Sequence, residues 1–181
     1  MPSREPGTGL AGAPPPAPWW RWLGVSAAVI VLDLLTKYWA TAALEGKPPV
    51  EVTPFFNLVL VHNAGAAFSF LANAGGWQRW FFIGVTFAVS VALVVMLARH
   101  AGGRLLAWAL ALVLGGALGN LWDRLTLGHV VDFVQVHAAG YYFPAFNVAD
   151  SAITIGVVLI IWDSFRPAPR APASAETEAK P

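Results

Sequence analysis

Long apolar stretches with few or no charges limit what this chain can fold into, and four such runs follow one another along it. The runs cover residues Trp22–Leu44, Trp80–Leu97, Leu105–Leu121 and Val148–Trp162. A helix needs about 20 apolar residues to span the hydrocarbon core of a bilayer. The first three runs meet this length, and the fourth meets it only if Asn147 and Asp150 lie inside the membrane or at its edge. The pattern predicts an all-α membrane protein with four transmembrane helices.

The composition of the chain agrees with a lipid environment. Charged residues make up 12% of it, whereas soluble domains carry about 25%. Nine tryptophans suit a protein that crosses the bilayer interface, where this residue is enriched. The net charge of +1 and the lack of a basic cluster argue against nucleic acid as a partner. The absence of cysteine excludes thiolate catalysis and cysteine-ligated metal, and we expect neither a metal nor another cofactor.

Segments at the two ends differ from the middle of the chain. Residues 1–18 and 167–181 are rich in Pro, Gly and Ala, so we predict that they are disordered and that residues 19–166 form the membrane domain. Between the first two apolar runs, residues 50–52 and 56–61 contain several β-branched and aromatic residues and are separated by proline. They predict a small strand-rich element on the outer, periplasmic surface.

The distribution of lysine and arginine predicts the orientation of the domain. With four spans, both termini and the 99–104 loop share one side, which carries seven of these residues. They are Arg4, Arg21, Arg99, Arg104, Arg166, Arg170 and Lys180. The three on the other side are Lys47, Arg79 and Arg124. Because cytoplasmic loops are enriched in these residues, we expect both termini to be cytoplasmic and segments 45–78 and 123–147 to face outward.

Two ionisable residues, Asp33 and Lys37, lie within the first apolar run. They are four positions apart on one helical face, with the acid nearer the N-terminus, which is the favourable order for an ion pair. An ionisable group inside a bilayer costs a few kcal/mol and needs a reason to be there. Either the two form a structural pair that neutralises itself, or Lys37 extends outward to the lipid headgroups.

Small and polar residues end the third apolar run. Gly115 and Gly119 form a small-xxx-small face, with Gly116 beside the first of them, so a neighbouring helix can approach closely. The polar residues that follow are Asn120, Asp123 and Arg124. An ordinary cluster at the membrane edge has the same appearance, so these residues alone do not define a site.

Two aspartates lie in the last part of the chain. Asp132 is flanked by Val131 and Phe133, and a carboxylate with such neighbours is either exposed in a bend or functional. Asp150 is the third residue after Asn147, so the two form a capping-box variant at the start of the fourth helix. A carboxylate at a helix N-terminus is stabilised and firmly positioned there, which is compatible with a functional role as well.

A pair of carboxylates in a site of low dielectric constant has a defined chemistry. Both cannot ionise easily, so the pair holds one proton near neutral pH. The ionised member can remove a proton from water while the protonated member polarises the carbonyl of a peptide bond. Spacing along the chain does not prove that Asp132 and Asp150 meet.

Five sequence blocks, taken together, resemble the signature of the bacterial lipoprotein signal peptidases, the signal peptidase II family. The blocks are Asp33-x-x-x-Lys37, His62-Asn63-Ala64-Gly65-Ala66-Ala67-Phe68, Asn120-Leu121-Trp122-Asp123-Arg124, Val131-Asp132-Phe133 and Phe146-Asn147-Val148-Ala149-Asp150-Ser151. The resemblance extends over residues 22–165, in the family's order and spacing. It implies a multi-pass aspartyl endopeptidase of the bacterial inner membrane, with its active site near the periplasmic face. Such an enzyme removes signal peptides from prolipoproteins, cutting before a cysteine that already carries diacylglycerol.

The resemblance also implies roles for individual residues. Asp132 and Asp150 match the catalytic pair. The residues that match polar groups lining the site and holding the substrate are Asn63, Asn120, Arg124 and Asn147. The residues expected to be structural or lipid-facing are Asp33, Lys37, Asp123 and Gly116. The implied partners are a lipidated prolipoprotein and membrane phospholipid, and we expect the protein to be a monomer.

Three other functions remain open at the level of sequence. A Ser-Lys protease would use Lys37 and one of the serines Ser26, Ser69, Ser90 and Ser151, but none has the context of a nucleophile elbow. A metalloprotease would use histidines, but the four in the chain are scattered and no H-E-x-x-H helix occurs. A small transporter or assembly factor without enzymatic activity would use its intramembrane charges as an ion path.

Overall fold

The computed structural model describes residues 18–65, 75–99 and 103–166. Within these ranges the elements are a 3-10 turn (Trp19–Trp22), α1 (Leu23–Leu44), β1 (Val50–Thr53), β2 (Phe56–Asn63), α2 (Trp77–Arg99), α3 (Arg104–Thr126), β3 (Val130–Ala138), β4 (Tyr141–Tyr142) and α4 (Val148–Ser164). All four apolar runs are helical, whereas the prediction that all four span the membrane is not tested by this. The two terminal segments predicted to be disordered, apart from Pro18, lie outside the described residues.

Three helices in the described part are long and apolar enough to cross a membrane. They are Trp19–Leu44, Trp77–Arg99 and Arg104–Thr126. The protein is therefore a mostly helical membrane protein. Helix α4 has 17 residues, fewer than the roughly 20 of a typical span, and its role as a fourth span stays a prediction.

Helix α3 lies at the centre of the helices. Most of its residues from Ala107 to Asp123 are buried, whereas α2 exposes most of its surface. Leucines of α2 and α3, among them Leu93, Leu97 and Leu110, form the apolar contact between these two helices. The apolar side chains that α2 directs away from this contact suit lipid rather than water, as expected for a helix within a bilayer.

Glycines of α3 bring the other two helices close. A Cβ added at Gly115 would lie 2.9 Å from the backbone oxygen of Ser26 in α1. A Cβ added at Gly116 would collide with the backbone oxygen of Ala149 in α4. The small-residue face predicted from the sequence is therefore the surface on which both α1 and α4 pack, and Gly116 has the structural role expected of it.

The strand-rich element is an antiparallel sheet in the order β1-β2-β3-β4. Strands β1 and β2 correspond to the element predicted between residues 50 and 61. The prediction missed β3 and β4. In β3, Asp132 lies opposite Val61 of β2 and is 2% exposed, so it is buried on a strand and does not lie in an exposed bend.

Helices and sheet are joined at the start of β3. The Asp123 carboxylate at the end of α3 accepts a hydrogen bond of 3.1 Å from the backbone N–H of Val131. Phe133 packs with Ala40 and Leu44 at the end of α1. Strand β3 is therefore tied to two helices, and this fixes the position of the aspartate between Val131 and Phe133.

We expect Gly116→Ala to destabilise the protein. The added methyl group would meet the Ala149 backbone oxygen and would lie 2.8 Å from Ile153, and overpacking of this kind costs about 1–3 kcal/mol. The measurement is thermal unfolding in detergent, followed by tryptophan fluorescence. Gly84→Ala in α2 is the matched control, because a Cβ there has nothing within 4 Å. Equal melting temperatures for the two variants would contradict the proposed packing.

Candidate active site

Polar side chains from four separate elements gather where α3, α4 and the sheet meet. Asp132 comes from β3, and Asp150 from the first turn of α4. Three amides surround them: Asn63 at the end of β2, Asn120 in α3 and Asn147 as the N-cap of α4. The fold therefore brings together residues that are up to 87 positions apart along the chain.

Asp132 is held by two amides. Its Oδ1 accepts a hydrogen bond of 2.7 Å from Nδ2 of Asn147, and its Oδ2 accepts one of 3.1 Å from Nδ2 of Asn63. Burial, and then the negative charge of Asp150, raise the pKa of Asp132 to about 7 against the opposing effects of the two amides and of Lys37. Asp132 is therefore only partly ionised near neutral pH.

Asp150 lies in the capping box predicted at the start of α4. Its backbone N–H donates to Oδ1 of Asn147 at 2.9 Å, and its Oδ2 accepts from the backbone N–H of Asn147 at 3.3 Å. Its Oδ1 accepts a further hydrogen bond of 2.7 Å from Nδ2 of Asn120. These donors and the N-terminus of the helix all favour a negative charge on Asp150.

Asn147 connects the two carboxylates. The same side chain caps α4 beside Asp150 through its oxygen and donates to Asp132 through its nitrogen. That nitrogen also lies 3.2 Å from the backbone oxygen of Val131 and 3.2 Å from Oδ1 of Asn120. Asn147 is 0% exposed, and its polar side-chain atoms are bonded to the two aspartates and their neighbours; a direct contact with substrate stays a prediction.

Arg124 lies beside the carboxylates at the end of α3. Its guanidinium donates to the backbone oxygen of Gly65 at 3.0 Å and lies 5.1 Å from the ring centre of Phe82. Its positive charge attracts Asp150 and Asp132. A cation so placed can offset negative charge that develops at the pair.

Behind the pair lies a second group of charges, deeper in the helices. Nζ of Lys37 is 2.8 Å from Oδ2 of Asp33, 2.8 Å from Oδ2 of Asp123 and 2.9 Å from Oδ1 of Asn120. Lys37 is 3% exposed and Asp33 is 0% exposed. The lipid-facing alternative for both is therefore wrong, because two carboxylates inside the protein hold the ammonium group more strongly than distant headgroups can.

One large cavity contains the pair. It has a volume of about 1170 Å³ and is lined by Asp132 and Asp150, together with Asn63, Asn120 and Arg124. The rest of its wall is mainly apolar or aromatic and includes Val61, Phe143, Phe146, Ile153 and Ile155. A cavity with a few convergent polar groups on an apolar wall is typical of a ligand site, and this one can receive both an amide and an apolar chain.

Some residues near the site were missed by the sequence analysis. Arg79 at the start of α2 donates to the backbone oxygens of Arg124 and Leu125, at 2.8 and 2.9 Å, and so caps α3 as basic side chains commonly do. The rings of His62 and His129 lie 4.4 Å apart. The pKa of His129 is lowered, mainly because the ring is partly buried and to a smaller extent because His62 lies beside it. The partners of Arg79 and of the two histidines lie far away along the chain, so no local sequence pattern indicates these contacts.

Comparisons with known proteins agree with this geometry. Residues 25–166 match the family model described as signal peptidase (SPase) II. The lipoprotein signal peptidase of Janthinobacterium sp. (strain Marseille) is 52% identical over 145 residues, which cover 80% of this chain and 88% of that protein. That of Ralstonia nicotianae (strain ATCC BAA-1114 / GMI1000) is 55% identical over 145 residues, covering 80% and 84%.

Solved structures of bacterial membrane enzymes have the same fold. One, determined by the in meso method at 2.3 Å resolution, is 36% identical, has a TM-score of 0.72, and covers 80% of this chain and 87% of its own. A second, at 1.9 Å resolution, is 35% identical with a TM-score of 0.71, covering 82% and 94%.

The raised pKa of Asp132 predicts how stability depends on pH. An aspartate ionises near pH 3.8 when unperturbed, but Asp132 in the folded protein does so near pH 7. Its contribution to stability is therefore complete below about pH 3.8 and is lost as the pH rises through about 7, with an upper limit of about 4 kcal/mol. We expect the melting temperature of wild type to fall over this window more steeply than that of Asp132→Asn.

The control for this prediction is Asp163→Asn, which removes an aspartate from a partly exposed ion pair with Arg166. Its melting temperature should follow the pH dependence of wild type. If the curves of wild type and Asp132→Asn are parallel across the whole range, Asp132 is not the group that titrates.

Proposed function

The chain belongs to the signal peptidase II family, and we propose that Asp132 and Asp150 are the catalytic aspartates with which it removes signal peptides from lipoprotein precursors. The protein is an aspartic endopeptidase of the membrane, as its family is. One observation carries the assignment of the two residues: both carboxylates line the same cavity, and both accept a hydrogen bond from Asn147, Asp132 from its side-chain nitrogen and Asp150 from its backbone N–H.

The environments of the two aspartates support different roles. Asp132, with its pKa near 7, is the member that holds the proton. Asp150 lies at the N-terminus of α4 and its carboxylate accepts hydrogen bonds from two donors, Nδ2 of Asn120 and the backbone N–H of Asn147; we assign it as the ionised member. Two titratable groups whose surroundings differ in this way supply the acid and the base of one reaction.

Hydrolysis then proceeds without a covalent intermediate on the enzyme. Asp150 takes a proton from a water molecule, whose oxygen attacks the carbonyl carbon of the scissile peptide bond, while Asp132 gives its proton to the carbonyl oxygen. In the second step Asp150 passes its proton to the leaving nitrogen as the C–N bond breaks. Asp132 recovers a proton from one hydroxyl of the intermediate, which becomes the new carboxyl group.

Residues on the cavity wall position the substrate. Arg124 and Asn63 border the cavity beside the pair, so they are placed to hold the peptide backbone around the scissile bond. Asn120 also borders the cavity, but its amide is bonded to Asp150, Lys37 and Asn147. Its main role is therefore to orient Asp150.

The apolar part of the cavity wall supports a lipidated substrate. Ile153, Thr154 and Ile155 of α4 line the cavity, and Ile155 is also 53% exposed on the outer surface of the helices. This wall gives acyl chains a route from the bilayer to the pair. The diacylglyceryl-modified cysteine would then lie beside Asp132 and Asp150, and the enzyme cuts the bond before it.

The depth of the site favours a position near the periplasmic face of the inner membrane. Lys37, at the level of the pair, lies seven residues before the end of α1 at Leu44, or about 10 Å at 1.5 Å per residue. Helix α4 starts at this level, because the backbone N–H of Ala149 bonds to Asp33 at 2.9 Å. We propose that α4 is the fourth span, with the sheet above it, and that both termini are cytoplasmic.

The active unit is proposed to be a monomer surrounded by phospholipid. Asp132, Asp150 and the amides that hold them all come from one chain. Large exposed apolar side chains on α1, α2 and α4, such as Tyr38, Phe87 and Trp162, provide the surface that lipid tails and headgroups cover.

We expect Asp132→Asn and Asp150→Asn each to lower the rate of precursor cleavage by at least about a thousandfold. Each change removes either the proton donor or the base. The measurement is a gel-shift assay of purified protein with a diacylglyceryl-modified precursor and with its unmodified form. Only the modified form should be cut.

Asp163→Asn serves as the control, because Asp163 lies in a peripheral ion pair at the end of α4, and it should retain wild-type activity. Full activity in either catalytic variant would refute the assignment of the pair. Equal cleavage of both precursor forms would refute the requirement for lipid.

The proposed topology can be tested with single cysteines, since the chain has none. Tyr141→Cys is on the sheet and Phe165→Cys follows α4; the two native side chains are 83% and 82% exposed. We expect a membrane-impermeant thiol reagent to label the first in intact spheroplasts and the second only after the membrane is permeabilised. The opposite pattern would invert the orientation, and labelling of both in intact spheroplasts would exclude four spans.

A further inference from the structure

The hydrogen bonds around the two aspartates allow only one arrangement of the amides. The oxygen and nitrogen of an asparagine side chain have similar shapes, so their placement must follow from their partners. Asn147 is fixed by α4: the backbone N–H of Asp150 can only donate, so the atom 2.9 Å from it must be the oxygen of Asn147. The nitrogen of Asn147 then faces Asp132.

Asn120 has no such backbone partner and is fixed by Lys37. An ammonium group has three donors and no acceptor, so the Asn120 atom 2.9 Å from Nζ of Lys37 must be the oxygen. The nitrogen of Asn120 consequently faces Asp150, to which it donates at 2.7 Å. With the amide turned over, its oxygen would face an ionised carboxylate, and its nitrogen would face an ammonium group.

From this geometry we propose that Lys37 is a positioning residue of the peptidase, which acts through Asn120 to keep Asp150 supplied with a hydrogen-bond donor. This deepens the proposed function and rests on it, because it requires Asp150 to be the catalytic base. Lys37 itself does not line the cavity; its effect on Asp150 passes through the amide, while its charge acts separately on Asp132.

The same lysine also has a structural role, and any test must distinguish this role from its proposed effect on Asp150. It neutralises Asp33 and Asp123, and Asp123 in turn holds the start of β3 through Val131. Removing the ammonium group leaves buried carboxylates without a partner, which destabilises a protein whatever happens at the active site.

A double-mutant cycle separates the two roles. Lys37→Met and Asn120→Ala are made singly and together, and kcat and KM for the diacylglyceryl-modified precursor are measured along with the melting temperature. We expect Lys37→Met to lower kcat at least about tenfold in the wild-type background, with little change in KM. In the Asn120→Ala background it should lower kcat by less than about twofold, because the amide through which it acts is gone.

The melting temperature should fall on Lys37→Met in both backgrounds, since the ion pairs do not depend on Asn120. Lys47→Met is the matched control, because Lys47 is exposed and bonds only to the backbone of α1 among the described residues; its kinetics should equal those of wild type. If Lys37→Met does not fold, the cycle is repeated with Asp33→Asn in every variant, which removes one of the unpaired carboxylates.

Two results would overturn the proposal. One is a loss of kcat on Lys37→Met that is equally large with and without Asn120, which would make the lysine purely structural. The other is an unchanged kcat in a folded Lys37→Met protein. If Asp150 is not the catalytic base, the Asp150→Asn variant will be active whatever the outcome of the cycle. A failure of the catalytic assignment can therefore be told apart from a failure of the proposal for Lys37.

Discussion

Two acidic side chains lie beside one cavity in this protein, although their charges repel each other, and Asn147 donates to both: to Asp132 from its side-chain nitrogen and to Asp150 from its backbone N–H. Burying a polar group without a partner costs several kcal/mol in an apolar environment. Here the three hydrogen bonds of Asn147 with Asp132 and Asp150 satisfy groups that would otherwise incur that cost. The pair is stable because its carboxylate oxygens accept hydrogen bonds and because one member can remain protonated.

The remainder of the fold positions this amide and its two partners. Glycines of α3 let α4 approach until the backbone of Ala149 touches Gly116 and bonds to Asp33. The sheet brings Asp132 to the same place, because β3 is anchored by Asp123 and paired with β2. In a membrane, where burying apolar surface between helices gives little gain, such close packing and polar contacts are what hold helices together.

The sequence predicted the helices well because lipid requires long apolar runs, which are easy to recognise. The family resemblance pointed to Asp132 and Asp150, which the fold places beside one cavity, and the capping pattern of Asn147 and Asp150 was predicted correctly. Strand β3 was missed because its run of Val and Phe, with Asp132 inside it, has no clear period that separates a short buried strand from other structures. The ion pair of Lys37 with Asp33 followed from their spacing, but the contact of Lys37 with Asn120 and that of Arg79 with Arg124 were not predictable, since these partners are 83 and 45 residues away.

The central claim is that the buried pair holds a proton on Asp132 near neutral pH, and infrared spectroscopy tests it most directly. Spectra of the wild-type protein are recorded in detergent from about pH 5 to about pH 9 and compared with those of Asp132→Asn, since a protonated carboxyl has a C=O stretch distinct from that of a carboxylate. The account predicts a protonated-carboxyl band in wild type that disappears with a midpoint near pH 7 and is missing from the variant. A band that is equally strong in both proteins, or no titration in this range, would contradict it.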